Sequence, residues 1–179
     1  MFKNQKITKF LFFFFCFSIF SSISQTNEDV PLNNIAINEI PKPISSLIFE
    51  DFSGNEINLN NYHGRLVIIN FWATWCAPCK KEMPSLDNLY QNHSFKNLKI
   101  FAVNMEQPNM TKTKNFFTDL NIKKLKIYFD SNLNFVKEFK LRGVPTTILI
   151  NKKGQEFARI IGEVNFQDKK FVKWLHNYD

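Results

Sequence analysis

Phe71-Trp72-Ala73-Thr74-Trp75-Cys76-Ala77-Pro78-Cys79-Lys80-Lys81-Glu82-Met83-Pro84 follows, after Asn70, on the apolar run Leu66-Val67-Ile68-Ile69. The β-branched run reads as a buried strand, and the chain then passes through Trp75 into a Cys-x-x-Cys whose second half starts a helix. Cysteines at a helix start are placed for redox work, because the unpaired amides and the dipole of the first turn stabilise a thiolate there. Cys76 is therefore the candidate nucleophile and Cys79 the resolving thiol. Pro78 suits an early helical position, where its missing N–H removes no bond the helix needs. Lys80 adds a cation four residues after Cys76. In the reaction this pattern implies, the Cys76 thiolate attacks a partner's disulfide and a mixed disulfide forms. Cys79 then attacks that bond, releasing the reduced partner and leaving Cys76 and Cys79 joined.

Other uses of the pair fit less well. A zinc site normally takes two such pairs or one pair with histidines, and His63, His93 and His176 show no ligand spacing. No metal is expected, and no cofactor beyond the redox-active Cys76–Cys79 disulfide. A purely structural bridge would close so short a loop that it would constrain little of the unfolded chain.

Working outward towards the N-terminus, Lys3, Lys6 and Lys9 precede an uncharged apolar run from Phe10 to Phe20, with small residues at Ser22 and Ser24. Residues 1–24 read as a secretory signal cleaved just before Gln25. The alternative is a retained anchor through residues 10–23, although the run is short for a membrane span. Either reading places the folded part outside the cytoplasm, periplasmic or extracytoplasmic, secreted or held at the inner membrane. Cys16 lies inside the apolar run and reads as a passenger. Without this segment the net charge falls from +7 to +4, and the remaining lysines are scattered, so nucleic acid is not an expected partner. Residues 25–43, polar and holding Pro31, Pro41 and Pro43, read as a linker. Residues 44–179 have the length of one domain.

Within that domain, Leu47 to Glu50 and Glu56 to Leu59 read as a hairpin turning at Ser53-Gly54-Asn55. After the Cys-x-x-Cys, Met83, Leu86 and Tyr90 give the helix an apolar face, with a kink expected at Pro84. Leu98 to Val103 is the next strand. A helix capped by Asn109 or Thr111 carries Phe116, Phe117 and Leu120, and Ile127-Tyr128-Phe129 is a short extended piece. A further helix is expected from near Asn132, using Leu133, Val136 and Phe139. Strands Thr146 to Ile150 and Glu156 to Ile161 flank a turn at Lys152-Lys153-Gly154. Phe171, Trp174, Leu175 and Tyr178 fall on one face of a closing helix, with Asn165 as its cap. This order predicts an α/β fold, a central sheet of mixed direction with helices on both faces.

Together with Gly143-Val144-Pro145-Thr146-Thr147, the opening stretch resembles the thioredoxin superfamily, and more narrowly its exported TlpA/ResA/CcmG branch of thiol-disulfide oxidoreductases. The resemblance covers residues 44–179, including the extra N-terminal hairpin and the helix inserted after the Leu98 strand. It implies a cis peptide bond between Val144 and Pro145, which lie against the Cys-x-x-Cys. There the Val144 backbone pairs with an extended client segment, and the proline obstructs metal binding at the thiols. Trp75, Ala77, Pro78, Val144, Pro145 and Thr146 are thus the expected client-contacting residues. Trp72 is expected to pack beneath them, and Trp174 to lie in the core. Glu82, three residues after Cys79 on the same helical face, corresponds in ResA-like members to a buried acid that exchanges a proton with the resolving thiol. One position departs from cytoplasmic thioredoxin, whose buried aspartate in the preceding strand is replaced here by Asn70, which does not titrate.

The resemblance further implies a reductase of exported proteins, kept reduced by a membrane donor of the DsbD or CcdA kind. Its clients would be apocytochromes c awaiting haem or proteins that assemble the copper sites of cytochrome oxidase. Ala158-Arg159-Ile160-Ile161-Gly162 with its following helix looks more like TlpA than CcmG, which favours copper-centre assembly. Two other classes share these motifs: an oxidising disulfide donor or isomerase, marked by a strongly acidic Cys76, and a Cu(I) metallochaperone holding the ion on Cys76 and Cys79. A peroxidase is disfavoured, because no threonine precedes a lone cysteine in the pattern those enzymes use.

Overall fold

The computed structural model describes residues 32–179. The expected signal or anchor, Cys16 and the first part of the expected linker lie outside the described residues. Every residue of β4 (Leu66–Trp72) is buried, and it sits centrally, parallel to β5 (Leu98–Asn104) and antiparallel to β7 (Thr146–Ile150). β7 continues antiparallel into β8 (Gln155–Ile161), and β5 is followed by the parallel β6 (Ile127–Phe129). On the far side β6 pairs with β2 (Ile48–Asp51), which forms the expected hairpin with β3 (Glu56–Asn58). Asp51 shapes that hairpin's turn, its Oδ1 accepting from the Ser53 and Asn55 amides, while Gly54 takes the positive φ of 82° that the turn requires. The other edge is β1 (Ile35–Pro43), antiparallel to β8, completing an eight-stranded mixed sheet in the order β1-β8-β7-β4-β5-β6-β2-β3.

β1 corrects the linker reading of residues 25–43. Ile35 to Ile37 pair with Ile160 to Ala158, Lys42 and Pro43 pair with Glu156 and Gln155, and the chain between them bulges out. Prolines are tolerated on an edge strand, whose outward N–H groups have no ladder to complete, so Pro41 and Pro43 do not exclude it. The Asn34 side chain fastens the strand's start, donating to the carbonyls of Ile161 and Glu163.

Alternation along β4 divides the interior. Leu66, Ile68 and Trp72 face a core shared with α1 (Ala77–Tyr90), α2 (Met110–Asp119) and α4 (Lys169–Leu175), through Met83, Leu86, Phe116, Phe117, Phe171 and Trp174. Val67, Ile69 and Phe71 face a second core, where Phe49, Phe101, Tyr128 and the Phe135 and Phe139 rings of α3 (Asn134–Phe139) interlock at centroid spacings of 5.0–6.0 Å. Helices therefore cover both faces, as expected.

Two helix starts differ from expectation. α3 begins two residues later than Asn132, because the Asp130 carboxylate accepts from the amides of Asn134 and Phe135. Its buried face is consequently Phe135 and Phe139, and Leu133 is left exposed in a left-handed conformation with φ 55°. α4 is capped by Asp168, which accepts from the amides of Lys170 and Phe171, whereas Asn165 closes a turn onto the Gln167 amide ahead of it. Asn109, of the two candidates, caps α2.

Asp87 locks α1 to the loop that leads into β6. Its buried carboxylate accepts from the amides of Lys123, Lys124 and Leu125 and from the Gln91 side chain, at 2.8–3.1 Å. Replacing Asp87 by alanine strands those donors, and chemical denaturation is expected to show a loss of about 3 kcal/mol. A loss below about 1 kcal/mol would mean that water satisfies the loop equally well.

Candidate active site

β4 ends at Trp72, and the chain turns through Ala73 to Trp75 into the first turn of α1. Cys76 is itself the N-cap: its backbone is extended, and its Sγ accepts from the Cys79 amide at 3.2 Å. Pro78 lies in the first turn, where no N–H is missed. Cys76 and Cys79 are joined in a disulfide with an S–S distance of 2.04 Å, and both residues are buried. Around them the rim is open, with Ala77 and Pro78 exposed and Trp75 70% exposed. Trp72, by contrast, is fully buried and stacks on Phe116 at 4.5 Å. Trp174 is buried among Phe157 and Phe171.

The Val144–Pro145 peptide bond is cis. Pro145 immediately precedes β7, whose first residue, Thr146, pairs with Phe71 near the end of β4, so the turn and the Cys-x-x-Cys loop lie at the same end of the sheet. Two bonds hold the turn: the Gly162 amide donates to the Pro145 carbonyl at 3.0 Å, and Thr146 Oγ1 donates to the Gly143 carbonyl at 2.8 Å. Among the described residues none bonds to the Val144 backbone, which stays open to pairing.

One turn beyond Cys79 on α1, Glu82 is 2% exposed, on the α1 side of the sheet. Its Oε1 accepts from Asn70 Nδ2 at 2.7 Å and its Oε2 from the Val164 amide at 3.1 Å. Burial pushes its pKa up to about 7; the bonds from Asn70 and Val164 work against that shift, and the nearby Glu163 charge adds to it. No lysine or arginine among the described residues pairs with it. Asn70, fully buried, also donates to Thr147 Oγ1 at 2.9 Å, while its own Oδ1 has no protein partner. The Asn70 amide thus positions the Glu82 carboxyl.

Glu106 belongs to the site without having any mark in the sequence. Its carboxylate accepts from the Thr74 amide at 2.6 Å and from Thr74 Oγ1 at 3.0 Å, and it pairs with Lys112 of α2 at 2.6 Å. Burial raises its pKa, but the bonds from Lys112 and Thr74 outweigh that and hold the carboxyl below its usual value. Glu106 therefore ties the active-site loop to the inserted helix. An acid one residue beyond Met105, after the end of β5, carries no sequence signal for this, since Thr74 lies 32 residues away and the nearby Lys112 is one exposed lysine among several.

The sequence profile of the AhpC/TSA family matches residues 40–155. The chain belongs to the AhpC/TSA family. It is 36% identical over 110 residues to the thiol-disulfide oxidoreductase ResA of Halalkalibacterium halodurans, covering 62% of this chain and 61% of that protein. With ResA of Bacillus thuringiensis subsp. konkukian the identity is 33% over 125 residues, 70% of this chain and 71% of the relative. Among solved structures, StoA from Bacillus subtilis superposes with a TM-score of 0.61 at 28% identity, covering 73% of this chain and 97% of StoA. The protein is thus a thioredoxin-fold thiol-disulfide oxidoreductase of the ResA type, with Cys76 and Cys79 at the Cys-x-x-Cys spacing.

Proposed function

We propose that this oxidoreductase works as a reductase of protein disulfides outside the cytoplasm. Cys76 attacks the client disulfide, Cys79 resolves the mixed disulfide, and Glu82 manages the proton of Cys79. The observation that carries this direction is the buried Glu82, which has no cationic partner among the described residues. A carboxyl near neutrality in a low-dielectric site can hand a proton to a thiol or take one, and once ionised it repels a thiolate. A dithiol whose thiolate is not stabilised is the stronger reductant; strong oxidants work the opposite way, by stabilising the reduced form. The exposed Trp75, Ala77 and Pro78, with the open Val144 backbone beside Pro145 and Thr146, form the client-contacting rim.

Export follows from residues 1–24, either as a cleaved signal or as an anchor. No helix of the described residues is long and apolar enough to cross a membrane. The clients fitting this placement are apocytochromes c or copper-site assembly proteins, with electrons supplied by a DsbD- or CcdA-like membrane protein. The deciding measurement is the reduction potential of the Cys76/Cys79 couple in defined thiol buffers. A value at or below about −200 mV is expected. A value near about −120 mV would reverse the direction of electron flow and make the protein a disulfide donor.

A further inference from the structure

A groove of about 920 Å³ opens beside the cis proline. It runs from Val144 and Pro145, past the loop between α3 and β7, to Lys42 and Pro43 of β1, and Asn38, in the stretch where the β1–β8 register shifts, also lines it. Cys76 and Cys79 do not line it, so it adjoins the thiol site without being that site.

Its charges are unbalanced. Of the two glutamates in the wall, Glu156 is held by the Arg159 guanidinium through two bonds of 2.7 and 2.9 Å, and Glu138 accepts from the Ser45 amide at 3.1 Å. Arg159 is spent on that pair and on the Phe139 carbonyl. Lys42, Lys140 and Arg142 are all exposed, and none forms an ion pair with any described residue. The Ser45 amide does not neutralise the Glu138 carboxylate, so against three unpaired cations stands one anion, and the net positive balance of the concavity favours an anionic occupant and disfavours a cationic one. The unpaired Val144 backbone at the mouth supplies what an extended chain needs and a small anion does not use.

We propose that this groove receives an extended, carboxylate-bearing segment of the client chain that flanks the cysteine under attack, with Lys42, Lys140 and Arg142 selecting it. This rests on the reductase reading above. The chain enters by pairing with Val144 and continues away from the thiols, so its acidic residues lie a few positions from the attacked cysteine. The groove thereby separates recognition from chemistry: the Cys-x-x-Cys accepts any accessible disulfide, and the basic rim ranks the proteins that carry one.

The test uses pre-reduced protein in single turnovers against two disulfide-bridged peptides, identical except that the flanking positions hold glutamate in one and glutamine in the other. Release of peptide thiols is followed. The glutamate peptide is expected to react about tenfold faster at low ionic strength, and the preference is expected to shrink as salt is added. In the Lys42→Glu, Lys140→Glu, Arg142→Glu triple variant the ratio is expected to invert, and in Arg142→Gln alone to fall part of the way. Equal wild-type rates on the two peptides would overturn the groove assignment while leaving the reductase intact, as would a preference that the triple variant retains. Failure of the folded wild type to reduce either peptide would overturn both. The wild-type comparison decides the matter even if the triple variant does not fold.

Discussion

Cys76→Ser is expected to bring disulfide reduction down to the uncatalysed background, and Cys79→Ser to convert the enzyme into a trap. The loss at position 76 is separable from damage to the fold. Serine is a good N-cap, so its hydroxyl can accept the Cys79 amide as Sγ now does, and the start of α1 is preserved. Losing the bridge itself costs little stability, because the loop it closes is so short. With Cys79 gone, the mixed disulfide on Cys76 has no internal thiol to resolve it, so clients accumulate covalently attached. Non-reducing electrophoresis of the exported fraction should show adducts that collapse on adding a reductant. A Cys79→Ser protein that stays free of adducts, or a Cys76→Ser protein that still turns over, would sink the assigned order of attack.

Glu82→Gln carries the second large effect, in pH dependence. In the unfolded chain this carboxyl ionises near its ordinary value of 4.5, whereas in the folded protein it holds its proton to about 7. Between those values the native state binds more protons than the unfolded state, so stability falls as pH rises. Below 4.5 both states are protonated and there is no penalty; above about 7 the penalty is complete. The gap between the two values corresponds to about 3 kcal/mol. Urea denaturation of the wild type at pH 5 and pH 8 should therefore show most of this loss, and the glutamine variant, with nothing to ionise, should lack it. In catalysis the variant is expected to turn over more slowly and to lose the inflection near neutrality. Identical pH profiles in both proteins would remove Glu82 from the proton path.

What could be read in advance divides along physical lines. The Cys-x-x-Cys, its proline and Glu82 lie within seven residues, and their relations follow from helical geometry alone. The strands from Leu66 and Leu98 were legible because residues buried on both faces form apolar runs, Leu66 to Ile69 in the first and, past the partly buried Lys99, Ile100 to Val103 in the second. β1 was not legible: its partner β8 lies more than a hundred residues away, and Pro41, Pro43 and the bulge break the alternation that identifies a strand. The bond between Glu106 and Thr74 has the same character, since nothing local to either residue announces it. At α3 the apolar period was real but misphased. Phe135 and Leu133 both invite burial, and the choice is made by Asp130, whose carboxylate sets where the helix starts.

The irregular outer strand also bears on how crowded copies of this protein behave. An open sheet ends in rows of unpaired amides and carbonyls, and a long flat border of that kind templates association between molecules. Here one border is only three residues long and carries Glu56, and the other is interrupted by a bulge and by Pro41 and Pro43, with Lys42 between them. Among the described residues neither border offers a sustained run for another molecule to zip onto. Such a molecule can leave the short Val144 backbone bare for guests without inviting its own kind to polymerise.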